Sequence, residues 1–263
     1  MLVSRIMARD YPSVDKDETL LHAVRVMEKK GMDRVLVFED KRLVGIMTKK
    51  DIMSKLATLR TRGTSPGRLH VSSFMSINLE TIGPDVEVNE AARLMVARGI
   101  SSLPVVEDDE VVGLVTKWQL LDLVEDDETP LTHVAVALPA RLRPGDRVLH
   151  ARRLILDNNI PILPVVDEAN RVIGTISVDE LAYVIFQLHD LVPAKYMKER
   201  ITSILVMDAM RMGSPTLPGD ATLGEAARMM KEKKLRGVIV AGDDGPTGLV
   251  SLDEVAVHLS LKV

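Results

Sequence analysis

One short pattern occurs four times along the chain, and this repetition constrains the fold more than any other feature. The pattern is a glycine, two mostly apolar residues, a serine or threonine, and then, three positions later, a carboxylate or amide. It reads GIMTKKD from Gly45, GLVTKWQ from Gly113, GTISVDE from Gly174 and GLVSLDE from Gly248. Because the copies recur about every 60 to 75 residues, the sequence predicts one structural unit repeated four times.

Two further patterns precede each glycine in fixed order. The first has apolar residues at helical spacing and predicts an amphipathic helix. The second is a short run of Val, Leu and Ile, which is typical of a buried strand. The helical segments are LLHAVRVM from Leu20, VNEAARLM from Val88, VLHARRLI from Val148 and LGEAARMM from Leu223. The strand segments begin at Val35, Leu103, Leu163 and Val238.

Turn-forming residues separate these segments. Gly31, Gly99 and Asn159 follow the first three helices, where a left-handed cap is favoured. A polar turn follows each strand segment and leads to a second strand that ends at the Ser or Thr of the repeat, which indicates a hairpin. Each unit is therefore predicted to be strand, helix, two hairpin strands and helix, an α+β fold.

The four units are expected at residues 1–60, 70–125, 131–188 and 200–263. A unit of this size buries too little surface to be stable alone, so we expect units 1 and 2 to pair, and units 3 and 4. The acidic stretch Glu125–Pro130 is the expected boundary between the two pairs. Ala57–His70 joins the first two units, and His189–Arg200 joins the last two.

Composition excludes several classes of site. The 263 residues contain no cysteine, which excludes disulfides, thiolate nucleophiles and cysteine zinc sites. The net charge of −4 gives no general attraction to nucleic acid or to a membrane surface. No apolar run approaches the ~18 residues of a membrane span, and the N-terminus lacks the apolar core of a secretory signal. We therefore expect a cytoplasmic protein.

The Ser/Thr of the repeat has a structural and a functional interpretation. Ser or Thr followed three residues later by an acid or amide, where a strand meets a helix, is a capping box. This interpretation explains all four copies, at Thr48, Thr116, Ser177 and Ser251. A helix N-terminus also suits phosphate, because its free N–H groups carry partial positive charge.

The first copy is the best candidate for binding. Asp51 is the only aspartate at the last position of the repeat, and it is too short to close a capping box as well as glutamate does. A short carboxylate beside Thr48 could instead bind a ribose diol. Arg34, Lys49 and Lys50 could neutralise phosphate, although the two lysines are better interpreted as solvated surface cations.

These residues resemble the CBS domain, named after cystathionine β-synthase, and the resemblance covers essentially the whole chain as four domains. Tandem CBS domains form two-fold pairs called Bateman modules, so the resemblance implies two modules. It also implies a cleft between paired domains that binds AMP, ADP, ATP or an S-adenosylmethionine-like ligand. By this resemblance Thr48 meets phosphate, Asp51 binds the ribose, Arg34 meets phosphate, and Thr81 and Pro84 lie near the ligand in the partner domain.

The other copies depart from the family pattern. Gln119 replaces the ribose aspartate of the second copy, Glu180 and Glu254 replace it in the last two, and Ser101 and Ser102 replace a basic pair. We therefore expect one good site in the first module, a second beside Thr116 and Gln119, and poorer sites in the second module. Trp118, the only tryptophan, adjoins the second site.

The leading hypothesis is a sensor with no catalytic activity and no required cofactor, acting as a homodimer on a separate effector protein. The alternative is a structural or nucleic-acid-binding scaffold that uses Arg60, Arg62, Arg68 and His70 of the first linker. An enzyme is disfavoured, because no nucleophile–base pair or metal-binding spacing occurs. His22 and His150 share one repeat position and are interpreted as partly exposed helix residues.

Overall fold

The computed structural model describes residues 1–56 and 64–262. Its α-helices are α1 (Leu20–Lys30), α2 (Lys49–Leu56), α3 (Val88–Arg98), α4 (Val148–Asp157), α5 (Val178–Leu191), α6 (Ala194–Ser203), α7 (Leu223–Lys233) and α8 (Leu252–Ser260). Its strands are β1 (Ser13–Asp15), β2 (Arg34–Glu39), β3 (Arg42–Thr48), β4 (Ser102–Glu107), β5 (Glu110–Thr116), β6 (Val136–Ala137), β7 (Ile162–Val166), β8 (Val172–Ser177), β9 (Arg211–Met212), β10 (Thr216–Leu217), β11 (Gly237–Gly242) and β12 (Gly245–Ser251).

The predicted hairpin is present in all four units with one register. In each unit the first residue of the hairpin pairs with the Ser or Thr of the repeat. The pairs are Arg34 with Thr48, Ser102 with Thr116, Ile162 with Ser177, and Gly237 with Ser251. Each hydroxyl therefore lies at the end of a strand, where the next helix or turn begins. The four-unit α+β prediction is confirmed.

Unit 2 departs from the predicted pattern at its second helix. The chain forms only a 3-10 helix, Gln119–Leu123, where the other units have an α-helix. The acidic stretch that follows turns away, and the Asp127 carboxylate accepts hydrogen bonds from His258 Nε2 at 2.8 Å and Lys262 Nζ at 2.6 Å. These contacts with the chain around α8 take the place of another helical turn.

The opening strands are also shorter than predicted. Unit 1 has the three-residue β1, and unit 4 has the two-residue β10. In units 2 and 3 this strand is reduced to single bridges, Ile82 with Val105 and Leu142 with Val165. The order of elements within the unit is nevertheless unchanged.

The left-handed caps at the C-terminal ends of the first helices lie at the predicted residues in three units. Gly31 and Gly99 have φ of 63°, and Asn159 has φ of 51°, so all three adopt the predicted left-handed conformation. In unit 4 the same position is Lys234, with φ of 52°. A β-carbon is disfavoured in this conformation, so a lysine at this position does not predict the fourth cap.

Pairing within each half is achieved by exchanging segments. Strand β6, near the start of unit 3, pairs with β12 of unit 4, and β9, near the start of unit 4, pairs with β8 of unit 3. In the first half, Ala8 of unit 1 pairs with Leu114 of unit 2, and Ser76 of unit 2 pairs with Ile46 of unit 1. These contacts join units 1 and 2, and units 3 and 4, as predicted.

The exchange explains the glycine of the repeat. At each of these glycines the exchanged segment crosses the strand so closely that a β-carbon would meet it. The nearest contacts of such a β-carbon would be Met75 Sδ at 2.7 Å from Gly45, Met7 Sδ at 2.5 Å from Gly113, the Arg211 carbonyl oxygen at 2.5 Å from Gly174, and the Val136 carbonyl oxygen at 3.2 Å from Gly248. The absence of a side chain, rather than an unusual backbone conformation, is what the position requires.

The hydrophobic cores run between the two halves. Helix α2 of unit 1 packs against α5 of unit 3, and α3 of unit 2 packs against α8 of unit 4. Met53 and Leu181 are fully buried in the first of these cores, and Ala92 and Val255 in the second. Each unit therefore exchanges strands with one neighbour and shares a core with another, which brings all four units together at the centre.

We expect Gly174→Ala to destabilise the protein by about 1–3 kcal/mol, because the new methyl group would meet a backbone oxygen that cannot move without displacing β9. The control is Gly145→Ala in the same unit, where a β-carbon would meet nothing within 4 Å. The measurement is the free energy of unfolding of both variants in denaturant. Equal losses in the two variants would contradict the proposed role of the glycine.

Candidate ligand clefts

Two cavities lie where the four units meet. Cavity A has a volume of about 220 Å³ and cavity B a volume of about 590 Å³. The lining of cavity A includes Asp33, Arg34, Thr48, Lys50, Asp51, Ser101, Lys117, Asn159, Arg236 and Asp253. The lining of cavity B includes Lys30, Asp33, Arg34, Lys49, Thr116, Trp118, Gln119, Asp122, Asp179, Lys231, Lys234 and Arg236.

Thr48 and Asp51 lie together in the wall of cavity A at the start of α2. Asp51 Oδ2 accepts hydrogen bonds from the Thr48 N–H at 2.9 Å and from the Thr48 hydroxyl at 2.7 Å. The Asp51 N–H donates to Thr48 Oγ1 at 3.2 Å. The expectation that aspartate closes this capping box less well than glutamate is therefore not met, since Asp51 accepts the same two hydrogen bonds from Thr48 that Glu180 and Glu254 accept from their serines.

Asp51 nevertheless keeps one oxygen for another partner. Within the described residues Oδ1 accepts no hydrogen bond, and its nearest cation is Lys55 Nζ at 3.7 Å. A carboxylate oxygen offers two lone pairs, so this atom can accept a hydrogen bond from a hydroxyl group of a molecule in cavity A. The capping role and the binding role are thus compatible in one side chain.

Thr116 and Gln119 repeat this geometry in cavity B. Gln119 Oε1 accepts from the Thr116 N–H at 2.8 Å and from the Thr116 hydroxyl at 2.6 Å. The amide leaves its NH₂ group as a donor, whereas the carboxylate of Asp51 can only accept. Trp118 forms part of the same wall, as its position in the sequence suggested.

The hydroxyls of the second half serve as caps. Ser177 with Glu180, and Ser251 with Glu254, form complete capping boxes at the starts of α5 and α8, as predicted. Both serines are buried, and neither of them lines cavity A or cavity B.

Arg34 belongs to a group of four charged residues, which we call the central ion cluster: Asp33 and Arg34, which are buried, and Asp179 and Arg236, which are partly buried. Arg34 is only 2% exposed and binds both oxygens of Asp33, through Nε at 2.7 Å and Nη2 at 3.0 Å. Arg236 Nη2 donates to Asp33 at 2.6 Å, and Arg236 also binds both oxygens of Asp179. Units 1, 3 and 4 all contribute to this cluster.

The cluster holds its members in their charged forms. Burial opposes ionisation of Asp33, but Arg34 and Arg236 outweigh this effect and hold the pKa of its carboxyl well below the usual range. Burial likewise opposes the charge on Asp179, but Arg236 and then Lys49 lower the pKa of that carboxyl. The two aspartates in turn raise the pKa of Arg236 above its ordinary value against the effect of burial.

The two lysines of α2 point to partners across the modules. Lys49 Nζ lies 3.0 Å from Asp179 and faces cavity B, and Lys50 Nζ donates to Asn159 at 2.6 Å in cavity A. Lys49 is half-buried against Asp179, so the interpretation as a solvated surface cation does not hold for it, whereas Lys50 is an exposed surface cation that reaches Asn159 of unit 3. Lys50 has an uncharged partner, so its positive charge remains available to a ligand.

Thr81 and Pro84 are not brought to either cavity wall. Thr81 is exposed, and the Pro84 carbonyl accepts a backbone hydrogen bond from Ser4 at 2.9 Å. The adjacent residue Glu80 does line cavity A. This segment therefore reaches cavity A through Glu80, the residue before Thr81, and not through Thr81 or Pro84.

Several residues of the clefts were missed by sequence reasoning. Asp33, Asp179, Arg236 and Lys117 had no assigned role, although Lys117 is buried and its ammonium binds Asp253. Arg236 occupies the same repeat position as Asp33, immediately before the first strand of the hairpin. A comparison of the four copies for opposite charges at this position could have suggested that units 1 and 4 meet there.

The basic linker of the scaffold hypothesis lies only partly within the described residues. Arg60 and Arg62 lie outside the described residues, Arg68 is exposed, and His70 Nδ1 lies 2.7 Å from the Asp17 carbonyl oxygen. Within residues 1–56 and 64–262, no group of three or more His, Asp or Glu side chains could hold a metal ion. In the same residues no helix has the length and apolar character needed to span a membrane.

Comparison with known proteins gives a full-length structural match. Protein MJ1225 from Methanocaldococcus jannaschii, described as a candidate archaeal homologue of g-AMPK, has a TM-score of 0.84 and 18% identity, covering 98% of this chain and 99% of its own. At this identity the likeness shows the fold alone. It establishes that four units of this kind occur in one chain in the same arrangement.

Curated relatives match all or part of the chain. Uncharacterized protein MJ1404 of M. jannaschii is 25% identical over 272 residues, which cover 99% of this chain and 62% of that protein. A homoserine O-acetyltransferase of Methanosalsum zhilinae is 36% identical over 112 residues, or 42% of this chain and 23% of the enzyme. The chain thus spans less than two thirds of either relative.

The model of one family matches most of the chain. The CBS domain model matches residues 3–58, 71–126, 139–187 and 206–260. These ranges contain the four hairpins and the four Ser/Thr positions described above. The chain therefore belongs to the CBS-domain family, as four tandem CBS domains paired in two Bateman modules.

Proposed function

We propose that the protein is a non-catalytic sensor that binds an adenosine-containing ligand in cavity A. The observation that carries this proposal is the pairing of a helix N-terminus with Asp51 Oδ1, which accepts no hydrogen bond within the described residues, in one cavity wall. Thr48 and the first N–H groups of α2 would meet a phosphate, and Asp51 Oδ1 would accept from a ribose hydroxyl. AMP, ADP, ATP and S-adenosylmethionine-like compounds share the ribose that this geometry fits.

The charges around cavity A support a ligand with a small negative charge. Within the part of the chain that the structure describes, the partner of Lys50 is the neutral Asn159, so Lys50 can approach a phosphate without breaking an ion pair. Arg34 Nη1 donates to Ser101 at 3.0 Å, so this arm of the guanidinium could exchange a hydroxyl for a phosphate oxygen. Such charge-assisted hydrogen bonds are the stronger kind.

Cavity B supports a second site of the same kind. Its volume of about 590 Å³ falls within the ~300–1,000 Å³ of typical ligand pockets. Thr116 and Gln119 would take the places of Thr48 and Asp51, and Trp118 offers an aromatic face on which adenine could stack. Because Gln119 is uncharged, its hydrogen bond to a ribose would be weaker than that of Asp51.

The ligand signal would pass between the modules. The contacts Lys49–Asp179, Lys50–Asn159 and Lys117–Asp253 all join the first module to the second beside the cavities. A ligand that binds one arrangement of these contacts better than another would shift the balance between the two arrangements. We propose that a separate effector protein, and a second copy of this chain in a homodimer, read this shift.

We expect Asp51→Ala to weaken binding of the tightest adenosine ligand by about ten- to a hundred-fold, the effect of one hydrogen bond to a charged group. The ligand is first found by thermal shift with AMP, ADP, ATP, S-adenosylmethionine and methylthioadenosine. A ligand at ~100 times its dissociation constant should stabilise the fold by about 2.7 kcal/mol. Calorimetry then gives the affinity of the variant.

Glu180→Ala is the matched control. It removes the equivalent capping carboxylate of unit 3, which lines neither cavity, so it should cost similar stability and leave the affinity within twofold. If Asp51→Ala binds as tightly as the wild type, Asp51 is not a ligand residue. If both variants lose affinity equally, the loss comes from the cap alone.

Occupancy of cavity B should change the fluorescence of Trp118. As the only tryptophan in the chain, it gives a signal that no other residue obscures. Thr116→Val keeps the shape of the side chain but loses the hydroxyl. We expect it to weaken the affinity measured from this fluorescence change by tenfold or more. Asp51→Ala should preserve that change, and its loss in Asp51→Ala would count against a separate second site.

A further inference from the structure

The two cavities share one wall. Asp33, Arg34 and Arg236, three members of the central ion cluster, line both cavity A and cavity B. The fourth member, Asp179, lines cavity B. The same guanidinium groups therefore face both clefts, so a change in their hydrogen bonds or in their available charge affects both sites.

Both arginines retain hydrogen-bonding capacity beyond the cluster. A guanidinium has five N–H donors. Arg236 uses Nε and Nη2 for Asp33 and Asp179, and within the described residues its Nη1 makes no hydrogen bond. Arg34 uses Nε and Nη2 for Asp33, and directs Nη1 to Ser101. Each arginine can therefore meet an anion with the Nη1 group.

The charge of the cluster is already balanced before any ligand arrives. Two arginines face two aspartates, and Lys49 adds one further cation on the side of cavity B. A phosphate in one cavity would draw on these cations and would leave less positive charge for a phosphate in the other. Asp33 and Arg34 are buried, so repulsion across the wall would be screened less than at the surface.

We propose that the central ion cluster couples the two cavities antagonistically, so that an anionic ligand in one cavity weakens the binding of an anionic ligand in the other. This inference rests on the proposed function, since it requires that both cavities bind nucleotides. It adds to that function the direction of the coupling between the two cavities and the physical cause of that coupling. The coupling follows the charge of the ligand and is absent for an uncharged nucleoside.

The test compares AMP with adenosine in three proteins. Asp51→Ala leaves cavity B as the intact site, and Gln119→Ala leaves cavity A. Calorimetry gives one affinity in each variant and two in the wild type, and Trp118 fluorescence identifies the steps that fill cavity B. The product of the two wild-type affinities, divided by the product of the single-site affinities, measures the coupling in whichever order the sites fill.

For AMP we expect the wild-type product to be at least about fivefold smaller than the single-site product, the low end of typical couplings between sites. For adenosine the two products should agree within twofold. A wild type that binds one AMP, while each variant also binds one, is the strongest form of the same result. Raising the ionic strength to 0.5 M should leave most of the coupling in place, because Asp33 and Arg34 are buried.

Several results would overturn the inference, and they are distinguishable. If AMP fills both cavities and the products agree, the sites are independent, and the proposed function stands without the coupling. If neither AMP nor adenosine binds the wild type, the coupling fails, and the proposed function then depends on the other adenosine compounds of the thermal-shift screen. If only one of the two variants binds AMP, the other cavity is not a nucleotide site, and the coupling fails with it. Equal coupling for AMP and adenosine would exclude charge as its cause.

Discussion

The close approach of an exchanged segment to a glycine, repeated four times, is the contact on which the architecture depends. At Gly174 a β-carbon would lie 2.5 Å from the Arg211 carbonyl oxygen, and at Gly45 and Gly113 it would meet a methionine side chain of the exchanged segment. The exchanged segment completes the sheet of a unit that is too small to be stable alone. Once the units are joined in this way, the ends of their hairpins, with the Ser and Thr hydroxyls, are brought around common cavities.

The arrangement within a unit could be predicted because it depends on local signals. The alternation of helix and strand patterns, the left-handed caps at Gly31 and Gly99, and the capping boxes at Ser177 and Ser251 all follow from residues close in sequence. Lys234 was missed because lysine in a left-handed cap carries no signal. The shortened helix after Gln119 was missed because its cause, the contact of Asp127 with His258, spans more than 130 residues.

The candidate site was predictable only in part, for the same reason. Thr48 and Asp51 are three residues apart, so helix geometry alone brings them together. Arg34 was identified from its position before a strand, but the cluster around it was not, since Arg236, which also binds Asp33, is distant in sequence and belongs to another module. The length of Asp51 was also misjudged, because a side-chain hydroxyl can rotate to meet a carboxylate in a way that residue size does not reveal.

The two cores cross from one Bateman module to the other, and this arrangement bears on how the halves relate. Fully buried residues such as Met53 and Val255 are covered by helices of the opposite module. A chain cut between the modules would leave two fragments, each with an apolar face shaped for the other. Such fragments would reassemble when mixed, so the backbone connection between the halves serves mainly to keep them at high effective concentration rather than to shape their contact.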